Sequence, residues 1–416
     1  MMTCDIRQGL TQDFAPAAGC RRGLAGRVAV GLLASMLIAA SADRLAAQES
    51  IREVLSFLVT NRSVPTGDFI RDDQAAAATR DTIAGFLLTE FATLPISSSS
   101  GGFTYRMDPG LGTVTRSSDS FGPFFTERTL TAGRHHSSLG VSYRSVSFDN
   151  IDGRDLRNGS LLSTATTLRG DPQPFDVETI ALRIRTATVT VVANYGVTDR
   201  LDVSTAIPFV RLTLSGERID TYRGQRFTQA TASASRSGVG DVVVRAKYNV
   251  LRSRASGVAF GAEARLPVGD EDNLLGVGHT TIKPRLIGSV ESEHLGVHGD
   301  FGYAFGGLSD GLDYAGAVTV VAVPRFTLIG EVVGRRLASF GRLAETTEPH
   351  PRLVGVDTIR LTGVQQATHR VLAVAGFKWN IGGAWIVSGQ VVRSLTTAGL
   401  NARWVPTVTF DYSFGR

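Results

Sequence analysis

The 416-residue sequence is poor in cysteine, in charge and in long apolar runs, and each shortage excludes a class of protein. Its two cysteines, Cys4 and Cys20, both precede the first apolar run, so the rest of the chain has no disulfide or thiol chemistry. Charged residues make up 19% of the chain, net charge is +5, and no polybasic tract stands out; no nucleic-acid partner is expected. Beyond the N-terminal region, no stretch supplies the about 18 apolar residues of a membrane-crossing helix. A P-loop and a G-x-S-x-G elbow are also missing, so the reading is of a non-enzyme without cofactor or catalytic residues. Yet mean hydropathy is +0.06 and glycines number 46. A chain that is apolar overall but never in long runs fits alternating strands joined by tight turns.

The N-terminus reads as an export signal. Arg21, Arg22 and Arg27 precede the apolar run 28–40, and Ala40-Ser41-Ala42 and Leu45-Ala46-Ala47 are candidate cleavage sites. Residues 1–47 are therefore expected to be a signal peptide cleaved near 42 or 47.

Residues 48–102 read as a helical segment plus linker, and 49–95 have a helical period that the rest of the mature chain lacks. Ile51, Val54, Leu55 and Leu58 recur at helical spacing behind a candidate N-cap, Ser50; Ile83, Phe86, Leu87, Phe91 and Leu94 form a second stripe. Two readings stand. The helices are a plug inside the barrel, with Leu55, Leu58, Phe86, Leu87 and Phe91 as its contacts, or they are a periplasmic cap. Ser97–Gly102 reads as a linker, and 103–132 as irregular apart from a small hairpin at Phe103–Thr115.

From residue 133 to 416 the period falls to two. Val242, Val244, Ala246 and Tyr248 alternate with Asp241, Arg245, Lys247 and Asn249; Phe301, Tyr303 and Phe305 alternate with His298 and Asp300. Twelve strands are read, at 136–148, 177–195, 200–216, 238–251, 257–268, 279–291, 295–306, 312–323, 326–337, 367–380, 384–396 and 402–414, with fourteen as the alternative count. Short links follow the even strands, and long links, notably 149–176, 217–237 and 338–366, follow odd ones. Short turns on one side and long loops on the other are the pattern of a transmembrane barrel. Tyr195, Tyr248, Phe326, Trp379, Trp385 and Tyr412 all lie near short turns or the C-terminus, as an interfacial aromatic girdle requires. Apolar parity switches near Thr186 in one strand and near Pro208 in the next, which bulges or extension beyond the membrane would both explain. The fold class is thus all-β, an antiparallel outer-membrane barrel with a short helical N-terminal segment.

Three stretches carry a family resemblance: YGVTDRLDVSTAIPF (Tyr195–Phe209), SGVGDVVVRAKYNVL (Ser237–Leu251) and ARLPVGDEDNLLGVGHTTIKPRL (Ala264–Leu286). Their sequence and order resemble the outer-membrane transporters called the MetA-pathway of phenol degradation family. The resemblance implies an outer-membrane channel associated with aromatic compounds. One departure is at the C-terminus, where Gly415-Arg416 follow Phe414, whereas such barrels often end on an aromatic residue.

By parity, the lumen-facing candidates are Asp241, Arg245, Lys247, Glu263, Arg265, Lys283, Arg285, Asp300, Glu331, Arg335 and Lys378. Unpaired charges buried in a lumen are costly, so most are expected to pair internally. Asp270-Glu271-Asp272-Asn273 reads as a solvated acidic turn rather than a cation site, and His135-His136 lacks partners at metal-ligand spacing. The expected partners are outer-membrane lipids and lipopolysaccharide, the barrel-assembly machinery, and a small apolar or aromatic solute diffusing through a gated lumen. The rival readings are an enzyme acting on lipid or lipopolysaccharide and an occluded structural barrel.

Overall fold

The computed structural model describes residues 50–93, 97–99, 101–107, 114–116, 118, 120–171, 173–253 and 256–414. The expected signal peptide lies outside the described residues. Helix α1 (Ile51–Val59) begins with the capping expected of Ser50: its hydroxyl accepts the Glu53 N–H, and the Glu53 carboxylate accepts the Ser50 N–H at 2.6 Å. Helix α2 (Phe69–Thr93) follows, and then a small hairpin of β1 (Tyr105–Met107) and β2 (Val114–Arg116). No helix among the described residues is long and apolar enough to cross a membrane.

The remaining strands form the barrel and its outgrowths. They begin with β3 (Ser137–Ser147), β4 (Asn150–Ile151), β5 (Arg154–Asp155), β6 (Leu161–Leu168), β7 (Asp176–Gly196) and β8 (Leu201–Tyr222). Next come β9 (Gln225–Val239), β10 (Val242–Arg252), β11 (Ser256–Leu266), β12 (Thr281–Glu291) and β13 (Leu295–Gly306). The last are β14 (Gly311–Val323), β15 (Phe326–Pro349), β16 (Val356–Gly382), β17 (Trp385–Ser394), β18 (Leu400–Asn401) and β19 (Val405–Phe414). Among the described residues, twelve close an antiparallel barrel in the order β3-β7-β8-β10-β11-β12-β13-β14-β15-β16-β17-β19. Closure is direct, with Phe414 of β19 opposite Ser137 of β3. The two additional strands of the sheet, β6 and β9, belong to an extension beyond the wall.

That extension corrects the link assignments. Residues 217–237 and 338–366 are mostly paired strand rather than loop, and 149–176 contains β4, β5 and β6. Past the wall, β9-β8-β7-β6-β16-β15 run on as a six-stranded sheet at the long-link end.

The parity switches mark where wall becomes extension. Strands β7 and β8 pair without a register break from Asp176–Tyr222 to Gly196–Asp202, so no bulge separates their halves. Even-numbered residues face inward throughout. In the wall these are polar (Thr186, Thr188, Asn194, Asp202, Ser204), while Val203 and its outward neighbours meet lipid. In the first part of the extension they become apolar (Ile180, Leu182, Ile184, Leu212, Leu214), with Glu178, Arg218 and Asp220 buried farther out, and the outward face turns to Arg183, Arg185, Arg211 and Glu217. An apolar exterior suits hydrocarbon; an apolar interior suits a core surrounded by water.

The helices supply that core. Ile51, Val54, Leu55 and Leu58 are buried with Leu182, Leu212 and Leu214, and Ile83, Phe86 and Leu87 with Leu337, Phe340, Leu343 and Leu361. Each such side chain contributes about 1.5–3 kcal/mol on burial. Arg218 donates to the Phe57 and Thr60 carbonyls at 2.9 and 2.6 Å, closing the C-terminal end of α1. Arg360 pairs with Asp72 of α2 at 2.7 Å, and Arg370 with Glu90. Helix α2 lies close against β15 and β16 because Gly363 carries no side chain: a Cβ there would overlap Thr82 and sit 2.5 Å from the Ala78 carbonyl oxygen. The described helices thus pack at the long-link end, away from the short turns. Leu55, Leu58, Phe86 and Leu87 pack there; the side chain of Phe91 lies outside the described residues.

On the outside, Tyr195, Tyr248, Trp379, Trp385 and Tyr412 are exposed near the short turns. Trp385 and Tyr412 meet at 4.6 Å, and Phe326 stacks on Phe377 at 5.5 Å. Above them Val244, Phe260, Leu286, Phe301, Leu328 and Phe410 form the apolar band of a membrane-spanning wall.

Candidate solute path

Outward-facing neighbours leave the alternate residues of each wall strand no choice but the lumen. All eleven charged candidates lie there. They divide into groups that pair across the wall and groups that grip the chain inside it. Arg245 Nε reaches Glu263 at 2.8 Å, Lys283 lies 3.0 Å from Glu263 and 2.9 Å from Asp313, Arg335 also pairs with Asp313, and Arg285 pairs with Asp300 at 2.7 Å. Asp241 accepts the N–H groups of Gly269 and Val277 at 3.2 and 2.9 Å.

The gripped chain is the stretch 97–132, read from sequence as linker and irregular segment. Its described residues lie inside the lumen, with the β1–β2 pair at the short-turn end, where Tyr105 stacks on His136 at 4.3 Å. Arg245 Nη1 donates to the Ser97 carbonyl at 3.0 Å, and Lys378 Nζ to those of Gly101 and Pro123 at 2.9 and 3.1 Å. Lys247 Nζ donates to the carbonyls of Arg128 and Leu130 at 3.0 and 2.8 Å. Glu331 accepts three successive N–H groups, from Phe124, Phe125 and Thr126, and Asp300 accepts that of Glu127 at 2.8 Å. An irregular chain buried in a barrel must satisfy its backbone polar groups one by one. The lumen charges do that here, each such bond contributing about 1.5–3 kcal/mol.

The opposite wall is different. Strand β3 turns Ser138, Gly140, Ser142 and Arg144 inward, between Thr188, Thr190 and Asn194 of β7 and Thr407, Thr409 and Ser413 of β19. Small side chains leave room. A cavity of about 50 Å³ is lined by Ser97, Phe125, Ser142, Arg144, Thr188, Gln390 and Thr407 among others. A second, of about 30 Å³, is lined by Ser97 to Ser99, Gly140, Ser142, Asn194, Lys378 and Ser388 among others. They share Ser97 and Ser142, so they adjoin each other between β3 and the inner segment. The sequence signal for this wall is the run of small residues at even positions 138, 140 and 142 rather than charge.

The other motifs have local partners. Asp270 accepts from Asn273 at 2.6 Å, and Glu271 lies 3.9 Å from Arg52 of α1. His135 bonds the Tyr195 hydroxyl at 2.9 Å, and His136 stacks on Tyr105 at 4.3 Å. Ser289 and His298 are 3.1 Å apart but face inward, and the Thr129 N–H donates to the Ser289 hydroxyl. An enzyme acting on surrounding lipid would need such a pair on the outer face. Among the described residues, no group of three or more potential metal ligands is present.

Residues 158–320 match the model of the family described as "Putative MetA-pathway of phenol degradation", a span that contains all three resembling stretches. No curated protein matches the chain significantly. Solved structures with similar folds include an outer membrane channel from Pseudomonas putida F1, with TM-score 0.44 and 12% identity over 69% of this chain and 98% of that one. The translocator domain of the autotransporter NalP from Neisseria meningitidis aligns with TM-score 0.34 and 10% identity, over 68% of this chain and 89% of that one. A FadL homologue of Pseudomonas aeruginosa aligns with TM-score 0.29 and 10% identity, over 67% and 89%.

Proposed function

From the premise that this is an outer-membrane, channel-like β-barrel related through residues 158–320 to the MetA-pathway of phenol degradation family, we propose a passive channel for small solutes with an apolar or aromatic body. The observation that carries the reading is the pair of adjoining cavities between β3 and the inner segment 97–132. At about 50 and 30 Å³ they have room for only a few waters, too little for a ring to pass freely. Transport therefore requires the inner segment to move. Its attachment favours that, because polar bonds to one wall can exchange for water while the wall's own strand pairing stays intact. At the long-link end a solute meets the apolar inner face of the extension, now covered by α1 and α2, which suits an apolar body. Segment 97–132 and the two helices are the gate in this account.

Liposome swelling with a panel of phenol, benzoate, small sugars and amino acids tests it. Faster entry of the aromatic solutes than of sugars of similar size is the expected result. Equal exclusion of every solute would leave an occluded structural barrel.

A further inference from the structure

The hydroxyl-lined wall of the lumen contains one cation that the clamp does not use. Arg144 projects inward from β3 between Thr188 and Thr407, its partners across the two neighbouring strands. Among the described residues no carboxylate lies within ion-pair distance of it, and its buried Nε has no hydrogen-bond partner. This contrasts with the opposite wall, where Arg245, Arg285 and Arg335 all hold carboxylates. A guanidinium taken out of bulk water without a counterion is costly, and such a group persists where an anion or a function uses it.

Its surroundings are those of an anion site. Arg144 borders the cavity of about 50 Å³, whose rim includes the hydroxyls of Ser142, Thr188, Thr190 and Thr407. The buried Thr407 hydroxyl and the Gln390 side-chain oxygen also lack partners, and reversing the Gln390 amide would aim its N–H groups inward instead. The one carboxylate on the rim, Asp241, is turned to the N–H groups of Gly269 and Val277. A second cation, Arg265, lies on the same rim. The other side of the cavity is apolar, with Phe125, Pro208, Val210 and Leu275.

The geometry points to an oxyanion-binding site at Arg144, taking the carboxylate of a small organic acid with its apolar body toward Phe125. The fork of guanidinium N–H groups matches a carboxylate in two-bond geometry, and the threonine and serine hydroxyls supply further donors. This deepens the channel reading and rests on it for its meaning: the solute carries an anionic head, and Arg144 is its stopping point between the helices and the inner segment. A cavity of this size takes the carboxylate at once, while a ring needs Phe125 to shift with its segment.

The test is equilibrium binding of radiolabelled benzoate to the full detergent-solubilised barrel, with benzamide as the neutral isostere and inorganic phosphate as a competing oxyanion. Benzoate binding at least tenfold tighter than benzamide is expected, with at least a tenfold loss in Arg144→Gln and partial recovery in Arg144→Lys. Competition by phosphate at concentrations similar to benzoate would assign the site to inorganic oxyanions and overturn the organic-acid assignment. Equal binding of benzoate and benzamide, or of benzoate to wild type and Arg144→Gln, overturns the site. Should Arg144→Gln not fold, the benzoate–benzamide comparison on the unaltered protein still decides. Liposome flux separates the two claims: benzoate bound without any solute passing refutes the channel and leaves the site, and flux without benzoate binding does the reverse.

Discussion

Glu331, on the inner face of β15, accepts both the N–H and the hydroxyl of Thr126, at 3.0 and 3.1 Å. The contact joins a wall strand to a segment 205 residues earlier in the chain, and with Phe124 and Phe125 it gathers a turn of irregular backbone onto one carboxylate.

Replacing Glu331 with alanine strands those donors inside the barrel. A loss of about 1–3 kcal/mol in folding stability is expected from unsatisfied buried N–H groups. Since only the inner segment is released, single-channel conductance in planar bilayers should rise while heat-modifiable migration is kept.

Helix α2 depends on the bare backbone of Gly363. In Gly363→Leu the side chain would occupy the space of Thr82, and the helix must lift from β16. Overpacking of this kind costs about 1–3 kcal/mol. Limited proteolysis should cut within 69–93 faster than in the wild type, with the wall strands still protected.

A chain lacking residues 49–95 should still fold as a heat-modifiable barrel, because wall pairing does not involve α1 or α2. Its conductance should rise, though less than in Glu331→Ala, since segment 97–132 remains clamped. Unchanged conductance would remove the helices from the gate.

The two faces of β10 should answer oppositely to charge. Val244 is exposed within the apolar band, and arginine there should cost about 2–4 kcal/mol in folding titrations into lipid vesicles. Arg245→Lys should cost less, through the altered geometry of its contacts with Glu263 and Ser97. Harmless Val244→Arg would reverse the inside–outside assignment.

The wall was legible in the sequence because a strand with lipid on one side and lumen on the other must alternate. The same rule made β7 and β8 hard to read. Ile184 and Val189 are both apolar and of opposite parity, yet they lie on one unbroken strand, because hydrocarbon ends between them and the core changes sides. The long hairpins of β8–β9 and β15–β16 read as loops in the sequence, since their outer face is as polar as a loop. The stretch 97–132 left almost no signal. Its bonds to the wall use backbone N–H and C=O groups, which every residue has, and its lumen partners read from sequence only as charges expected to pair with one another. Arg144 is illegible for a related reason: it lies in a strand of serines, and its lack of a partner is a fact of three dimensions.

If solute crosses the lumen only when segment 97–132 moves, a reversible tether on that segment must switch the flux. A Cβ at Gly102 would lie 3.7 Å from the Ser413 side-chain oxygen, which brings the two side chains near enough for a disulfide to bridge them after a small shift, and the only native cysteines are Cys4 and Cys20 in the expected signal peptide. In the Gly102→Cys/Ser413→Cys double variant, benzoate flux into liposomes should stop on oxidation and return on reduction. Equal flux in the oxidised and reduced states, or none in either, would contradict the account.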